Sequence, residues 1–94
     1  MILTVCLNPA VDKTCTTDTL QVGEVNRLSS AVCLAGGKGV NVAKVLRAFS
    51  MPVAMVGFLG GMGGKLIEET LESLGVEDYC TRIKNHTRTN VNIL

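Results

Sequence analysis

A glycine-rich segment at residues 34–47, LAGGKGVNVAKVLR, carries the residue types best suited to bind a ligand. Glycine costs conformational entropy at a helix start, and a ligand that needs bare backbone N–H groups there is one reason to retain it. Lys38 can supply a positive charge for a phosphate, and Asn41 can pair with hydroxyl groups. Alternatively, the glycines only allow close helix–strand packing and Lys38 is solvated. The residues alone leave both interpretations open.

The same segment matches neither common nucleotide-binding loop. A Walker A loop requires glycine five residues before Gly37 and a serine or threonine after Lys38, but Val32 and Gly39 stand there. A dinucleotide fingerprint that starts at Gly37 requires glycine where Val42 stands. The segment therefore has the ingredients of a phosphate loop without either pattern.

Two apolar runs predict the strands that position this segment. Ile2–Leu7 is almost continuously apolar and predicts a parallel strand buried on both faces, which Asn8-Pro9 ends. Val53–Leu59 predicts a second buried strand. Residues 11–33 predict shorter, partly exposed strands with a break near Gly23. Further strands are expected at Tyr79–Ile83 and Asn90–Leu94, joined by the polar turn KNHTRT.

Two amphipathic helices are expected between and after the buried strands. The first follows the glycines, has Lys44 and Arg47 on its solvent side, and ends at Met51-Pro52. Its predicted inward residues are Val42, Val45, Leu46 and Phe49. The second spans Lys65–Leu74 and stops at Gly75. Its predicted inward residues are Ile67, Leu71 and Leu74. The glycines at 60, 61, 63 and 64 before it are interpreted as a packing turn.

This alternation of strands and helices predicts an α/β protein with a parallel sheet and a small additional sheet. The formal net charge is +1 with interleaved signs, which argues against nucleic acid and membrane partners. No apolar run reaches the roughly 20 residues of a membrane span. The four cysteines form no C-x-x-C pair, and the chain has one histidine, so no metal site is expected. We expect free thiols in a reducing cytoplasm.

Four separated motifs, AGGKGVNVAKVL, GFLGG, LTVCLNPAVDKT and TRTN, resemble the ribokinase-like (PfkB) carbohydrate kinases. The last two are similar to the branch of 1-phosphofructokinase, tagatose-6-phosphate kinase and the minor 6-phosphofructokinase. The resemblance covers all 94 residues. It implies the N-terminal part of a ribokinase-like parallel sheet with flanking helices. It also implies a β-sheet lid, from strands at about 12–33 and 79–94, through which a homodimer forms.

The resemblance implies roles for individual residues. Asp12 matches the aspartate that accepts hydrogen bonds from sugar hydroxyls, with a plain turn residue as the alternative. Gly36 and Gly37 match glycines whose backbone meets the sugar, and Asn41 matches the sugar-binding asparagine. The remaining candidates are three cations that would bind the substrate phosphate. Lys38 occupies a variable position of the motif. For Arg88 the alternative is an exposed charge in a turn, and for Arg27 it is a solvated strand residue. Many relatives carry an acidic residue where Met62 stands.

The family's catalytic base is the aspartate of a C-terminal G-x-G-D motif, and the 94 residues contain no such motif. Residues 1–94 are thus expected to be the N-terminal portion of the kinase domain, inactive alone and with no catalytic residue of their own. ATP and Mg²⁺ would bind mainly in the missing C-terminal portion. The last strand, which ends without a stop signal, supports this expectation.

The activity implied is ATP-dependent phosphorylation of a phosphorylated ketohexose. Fructose 1-phosphate, converted to fructose 1,6-bisphosphate, is preferred because LNPAVDKT is most similar to that subgroup. Tagatose 6-phosphate and fructose 6-phosphate are the alternative substrates. A different class of function is a non-catalytic remnant that binds a sugar phosphate or only dimerises through its lid.

Overall fold

The computed structural model describes all residues, 1–94, as two β-sheets and two helices. The chain begins and ends with strands, and each helix follows a strand. In order, the elements are β1 (Ile2–Cys6), β2 (Ala10–Thr16), β3 (Ser30–Gly36), α1 (Lys38–Ala48), β4 (Val53–Leu59), α2 (Gly61–Leu74), β5 (Glu77–Asp78), β6 (Thr81–Arg82) and β7 (Arg88–Ile93).

The main sheet is parallel, and β4 lies at its centre. β1 pairs with β4 from Ile2 opposite Val53 to Cys6 opposite Gly57. The short strands β5 and β6 pair with β4 on its other side. Both helices pack on this sheet and enclose one apolar core. The core residues are Cys6, Ala35, Val40, Ala43, Val53, Met55, Leu59, Ile67, Leu71 and Val76.

One face of β1 is open, which corrects the prediction that Ile2–Leu7 is buried on both faces. Alternate residues of a strand face opposite sides of the sheet. Thr4 and Cys6 point to the core and are buried, whereas Leu3 and Val5 are 56% and 57% exposed. The prediction failed because a continuous run of apolar residues permits burial of both strand faces but does not require it. In this structure neither helix packs on the second face of β1.

Helix α1 packs through a different face from the one predicted. Val40 and Ala43 are fully buried, while Val45 and Phe49 are 57% and 76% exposed. Gly39 explains why α1 turns this face toward β1, because a Cβ atom at residue 39 would lie 2.8 Å from the carbonyl oxygen of Val5. The helix therefore approaches β1 through its smallest side chains, which a pattern of large apolar residues does not reveal. Of the predicted inward residues, Leu46 packs against the core and Val42 is half-exposed.

The two basic residues predicted on the solvent side of α1 each bind a backbone carbonyl. Lys44 donates a hydrogen bond from Nζ to the carbonyl oxygen of Ala35. Arg47 donates from Nε to Leu74 O at 2.8 Å, and from Nη1 to Met51 O at 3.0 Å. Both side chains are half-buried. They therefore hold α1 to the ends of β3 and α2 rather than pointing into solvent.

Helix α2 begins at Gly61, four residues before the predicted start, so the second glycine cluster forms its first turn. Ile67 and Leu71 are fully buried, as predicted. Burial of each such side chain stabilises the fold by about 1.5–3 kcal/mol. Gly75 ends the helix in the left-handed region at φ 76°, where glycine carries no Cβ penalty, and this confirms the predicted stop.

The small sheet has the strand order β3–β2–β7. β2 and β3 are antiparallel, from Ala10 opposite Gly36 to Thr16 opposite Ser30. β2 and β7 are parallel, from Ala10 opposite Arg88 to Cys15 opposite Ile93. The break predicted near Gly23 lies in the loop that joins β2 to β3.

The strands after residue 79 divide between the two sheets, which corrects their common assignment to the lid. Thr81–Arg82 pairs with β4 of the main sheet, and only Arg88–Ile93 joins the small sheet. Residues 83–87 connect the two sheets. Within this connection, Thr87 donates its backbone N–H to Gly60 O at 2.9 Å and accepts the Gly60 N–H on Oγ1 at 3.0 Å.

All four cysteines are unpaired: Cys6 and Cys15 are buried, Cys80 is half-buried and Cys33 is exposed. Neither helix combines the length and the apolar character that crossing a membrane requires.

Candidate functional site

The small sheet brings a carboxylate, an amide and a glycine together near the end of the main sheet. Asp12 on β2 lies opposite Asn90 on β7 and opposite Leu34 on β3. Asn90 donates a hydrogen bond from Nδ2 to Asp12 Oδ1 at 3.1 Å. Asp12 is therefore a strand residue with a fixed side chain, and not the turn residue that was the alternative.

Arg88 extends this set of polar groups toward β1. Its Nη1 donates to Asn90 Oδ1 at 3.2 Å, and its Nη2 donates to the Asn8 carbonyl oxygen at 3.2 Å. The residue remains exposed. Residues 88 and 90 share one face of β7 because side chains alternate along a strand. Asp12, Asn90 and Arg88 thus form one continuous hydrogen-bonded row.

Lys38 and Arg88 share a cleft of about 250 Å³ at the carboxyl end of β1 and the N-terminus of α1. Neither cation forms an ion pair with a carboxylate. Ligands of open α/β sheets bind at this end of the strands, and an anion there gains from both cations and from the helix N-terminus. The cleft is lined by Val5, Cys6, Leu7, Asn8, Lys38, Gly39 and Arg88.

Each glycine of the first cluster is in close contact with its surroundings. A Cβ atom on Gly36 would overlap the Asp12 carboxylate and lie 2.7 Å from its Cγ. Gly37 has φ 103°, which disfavours other residues, and a Cβ atom there would lie 3.1 Å from Pro9 Cα. The absence of a side chain at Gly37 and Gly39 thus allows close packing against β1 and Pro9, and at Gly36 it leaves room for the Asp12 carboxylate.

Asn41 and Arg27 lie outside this row of polar groups. Asn41 is exposed in the first turn of α1, where its backbone N–H donates to Gly37 O at 2.9 Å. Arg27 is exposed in the loop between β2 and β3, not in a strand. It lines a separate cleft of about 380 Å³ formed by residues 17–29. The structure therefore brings together Asp12, Gly36, Lys38 and Arg88, and it leaves Asn41 and Arg27 outside both the row and the cleft.

The candidate site residues named from the sequence did not include two groups of the site, the Asn90 side chain and the Asn8 carbonyl. The alternation in Thr-Arg-Thr-Asn, residues 87–90, was available as a signal, since it places Arg88 and Asn90 on one strand face. The pairing of β7 with β2 was not, because it depends on a parallel contact between segments 78 residues apart.

A second polar cluster lies beside β6, away from the cleft. Arg82 Nη2 contacts Asp78 Oδ2 at 2.7 Å and Glu68 Oε2 at 3.1 Å. Burial acts to raise the pKa of Asp78, but hydrogen bonds from Arg82 and the Cys80 backbone N–H outweigh it, so this pKa lies below 3.8. Burial, with the nearby Asp78, raises the pKa of the Cys80 thiol to about 12. Cys80 is thus a protonated, inert thiol at neutral pH.

No group of three or more His, Cys, Asp or Glu side chains is arranged to hold a metal ion. The residues of the cleft, two cations and a backbone carbonyl, also do not suit a divalent cation, which prefers carboxylate oxygens. They do not fit a magnesium site.

The fold and the site define an α/β protein with a cleft lined by two cations, beside a carboxylate that accepts a hydrogen bond from Asn90. The chain belongs to the pfkB family of carbohydrate kinases, whose profile matches residues 5–94. This confirms the resemblance, and the ribokinase-like fold class is confirmed with it.

Three relatives illustrate the similarity. The 1-phosphofructokinase of Xanthomonas campestris pv. campestris is 42% identical over 92 residues, covering 98% of this chain and 29% of that protein. The tagatose-6-phosphate kinase of Staphylococcus epidermidis is 44% identical over 94 residues, covering 100% of this chain and 30% of that protein. The structure of Escherichia coli phosphofructokinase-2 with substrates and products has a TM-score of 0.88 at 25% identity, covering 98% of this chain and 30% of that chain. The chain thus spans about 30% of the relatives it matches.

Proposed function

We propose that residues 1–94 form the sugar-phosphate-binding part of an ATP-dependent kinase that acts on a phosphorylated ketohexose. The observation that carries this proposal is the row from Asp12 through Asn90 to Arg88, which ends at the cleft that Arg88 shares with Lys38. The row presents an acceptor for hydroxyls at one end and two cations for a phosphate at the other. A ketohexose phosphate carries these two kinds of group in one molecule.

In this proposal each side chain of the site has one task. Asp12 accepts hydrogen bonds from sugar hydroxyls, while Gly36 leaves space for its carboxylate. Arg88 and Lys38 bind the phosphate that is already on the substrate. Asn41, one turn into α1, is a further hydroxyl partner. Together these groups orient the acceptor hydroxyl, and positioning is a large part of catalysis in phosphoryl transfer.

The groups that carry out the transfer lie outside residues 1–94 in this proposal. Asp12 is held by Asn90 as a binding group, and the chain contains no G-x-G-D motif to supply the base. ATP, with Mg²⁺, supplies the transferred phosphoryl group and binds in the C-terminal portion of the full-length protein. We place this protein in the cytoplasm, because four unpaired thiols suit a reducing compartment.

Fructose 1-phosphate is the proposed substrate. Supporting it, relatives named 1-phosphofructokinase from Xanthomonas campestris, Haloferax volcanii and Vibrio cholerae are 42–45% identical to this chain. Because the tagatose-6-phosphate kinase is 44% identical to this chain, tagatose 6-phosphate is the second candidate substrate. The assay of the full-length protein with ATP should therefore include fructose 1-phosphate, tagatose 6-phosphate and fructose 6-phosphate side by side.

We expect the highest kcat/KM with fructose 1-phosphate, and no turnover by the 94-residue chain. Arg88→Met should weaken binding of fructose 1-phosphate by about 10- to 100-fold, because it removes a charged hydrogen-bond donor. Lys84→Met is the matched control, since Lys84 is an exposed cation outside the cleft. Binding without phosphoryl transfer by the full-length protein would favour the non-catalytic remnant. Absence of binding would refute the kinase and the sugar-phosphate-binding remnant, and would favour a remnant that only dimerises.

We also propose that the small sheet is a lid that mediates a homodimer. Its outer strands have unpaired edges, and Val32, Leu34, Val91 and Ile93 are each 52–58% exposed. Edges of this kind readily pair with another chain. Val32→Asp should yield monomers in sedimentation experiments, whereas Val22→Asp, in the exposed loop at 96% exposure, should not. A Val32→Asp variant that sediments like the parent protein would refute the lid dimer.

A further inference from the structure

Asn90 is the link between two oppositely charged side chains of the candidate site. Its Oδ1 accepts a hydrogen bond from Arg88 Nη1 at 3.2 Å, and its Nδ2 donates one to Asp12 Oδ1 at 3.1 Å. A side-chain amide is neutral and offers both a donor and an acceptor. Asn90 therefore satisfies the cation and the carboxylate together without adding charge.

The strand geometry leaves this task to Asn90. Asp12 lies opposite Asn90 in the β2–β7 pair, and the residue opposite Arg88 is Ala10, which has no polar side-chain atom. The other partner of the Arg88 guanidinium is the carbonyl of Asn8, which precedes β2. Asn90 thus occupies the direct path between Arg88 and Asp12.

We propose that Asn90 is a positioning residue that keeps Asp12 and Arg88 apart, so that each remains available to a different part of the substrate. Opposite charges at short range attract, and a direct ion pair would occupy the carboxylate that binds hydroxyls and the guanidinium that binds phosphate. The amide prevents this pairing and sets the separation between the two binding groups. This inference rests on the proposed function, because it assigns those two groups to one sugar phosphate.

The test is calorimetric binding of fructose 1-phosphate to the full-length protein. Asn90→Ala should weaken binding about tenfold, as Arg88 turns toward Asp12. Asn90→Ser, which is too short to span the gap, should act in the same direction. Asn92→Ala is the matched control, because Asn92 lies two residues further on the same face of β7, is exposed, and should be silent.

A second pair of variants separates positioning from a merely structural role. Asp12→Asn removes the charge that attracts Arg88, so adding Asn90→Ala to Asp12→Asn should cause no further loss of affinity. A structural role predicts the same tenfold loss in both backgrounds. The inference is overturned by that result, or if Asn90→Ala binds like Asn92→Ala while the parent protein binds fructose 1-phosphate. A parent protein that binds no sugar phosphate would instead refute the proposed function itself.

Discussion

Gly36 faces Asp12 so closely that residue 36 has no room for a side chain. The two residues lie on neighbouring strands, β3 and β2, and a Cβ atom on Gly36 would lie 2.7 Å from Asp12 Cγ. The carboxylate occupies the space where a side chain would begin. Gly36, which leads into α1, thus leaves the space in which the Asp12 carboxylate, proposed to bind hydroxyls, is placed.

Gly36→Ala should displace the Asp12 carboxylate and weaken binding of fructose 1-phosphate by about tenfold, the scale of one charged hydrogen bond. The loss should not add to that of Asp12→Asn, because both changes act through the same side chain. Calorimetry on the two single variants and the double variant measures this. Fully additive losses would show that Gly36 acts independently of Asp12.

Thr87 should contribute to stability through its hydroxyl. Thr87→Val keeps the shape but leaves the Gly60 N–H without its acceptor, so the free energy of unfolding should fall by about 1–2 kcal/mol. Thr87→Ser retains the oxygen and should lose less. Thr89→Val is the control, since Thr89 is exposed on β7 and its hydroxyl accepts no hydrogen bond from a backbone N–H. Urea denaturation compares the variants, and equal stabilities of Thr87→Val and Thr89→Val would contradict the role of the hydroxyl.

The ion pair between Arg82 and Asp78 should make stability depend on pH in acid. Because the folded protein holds the pKa of Asp78 below 3.8, the stabilisation is present above that pH and is lost as the pH falls through the folded pKa. Arg82→Met should therefore be less stable than the parent protein near neutral pH, by about 0.5–1 kcal/mol for this partly exposed pair. The difference should shrink below pH 3.8.

Urea denaturation at several pH values measures this difference. Lys84→Met removes an exposed cation that forms no ion pair and is the control. A stability difference for Arg82→Met that stays constant into strong acid would mean that Arg82 acts through packing and not through the Asp78 carboxylate.

The four thiols should differ in reactivity. At pH 8 we expect alkylation at Cys33, which is exposed, before the other three. Cys6 and Cys15 are buried, and the pKa of Cys80 is raised to about 12, so little thiolate forms there. Mass spectrometry of the labelled peptides measures the order. Labelling of Cys80 as fast as Cys33 would contradict the protonated state of Cys80.

The sequence by itself determined the order of the main elements and some of the residues at which they end. Val53–Leu59 and Asn90–Leu94 predicted strands, and Gly75 predicted the end of α2, because these signals are local. The motif residues Asp12, Gly36 and Arg88 were also identified from the chain alone. Their roles came from the resemblance to the carbohydrate kinases, which implied a ligand with hydroxyls and a phosphate.

The tertiary structure decided which faces are buried and which segments meet. The inward face of α1 follows from close approach at Gly39, and the open face of β1 follows from both helices packing on the other side. The partnership of Asp12 with Asn90 depends on the parallel register of β2 and β7. These features arise from contacts between residues that are far apart in the chain. The energies of such contacts depend on packing, so local periodicity does not predict them.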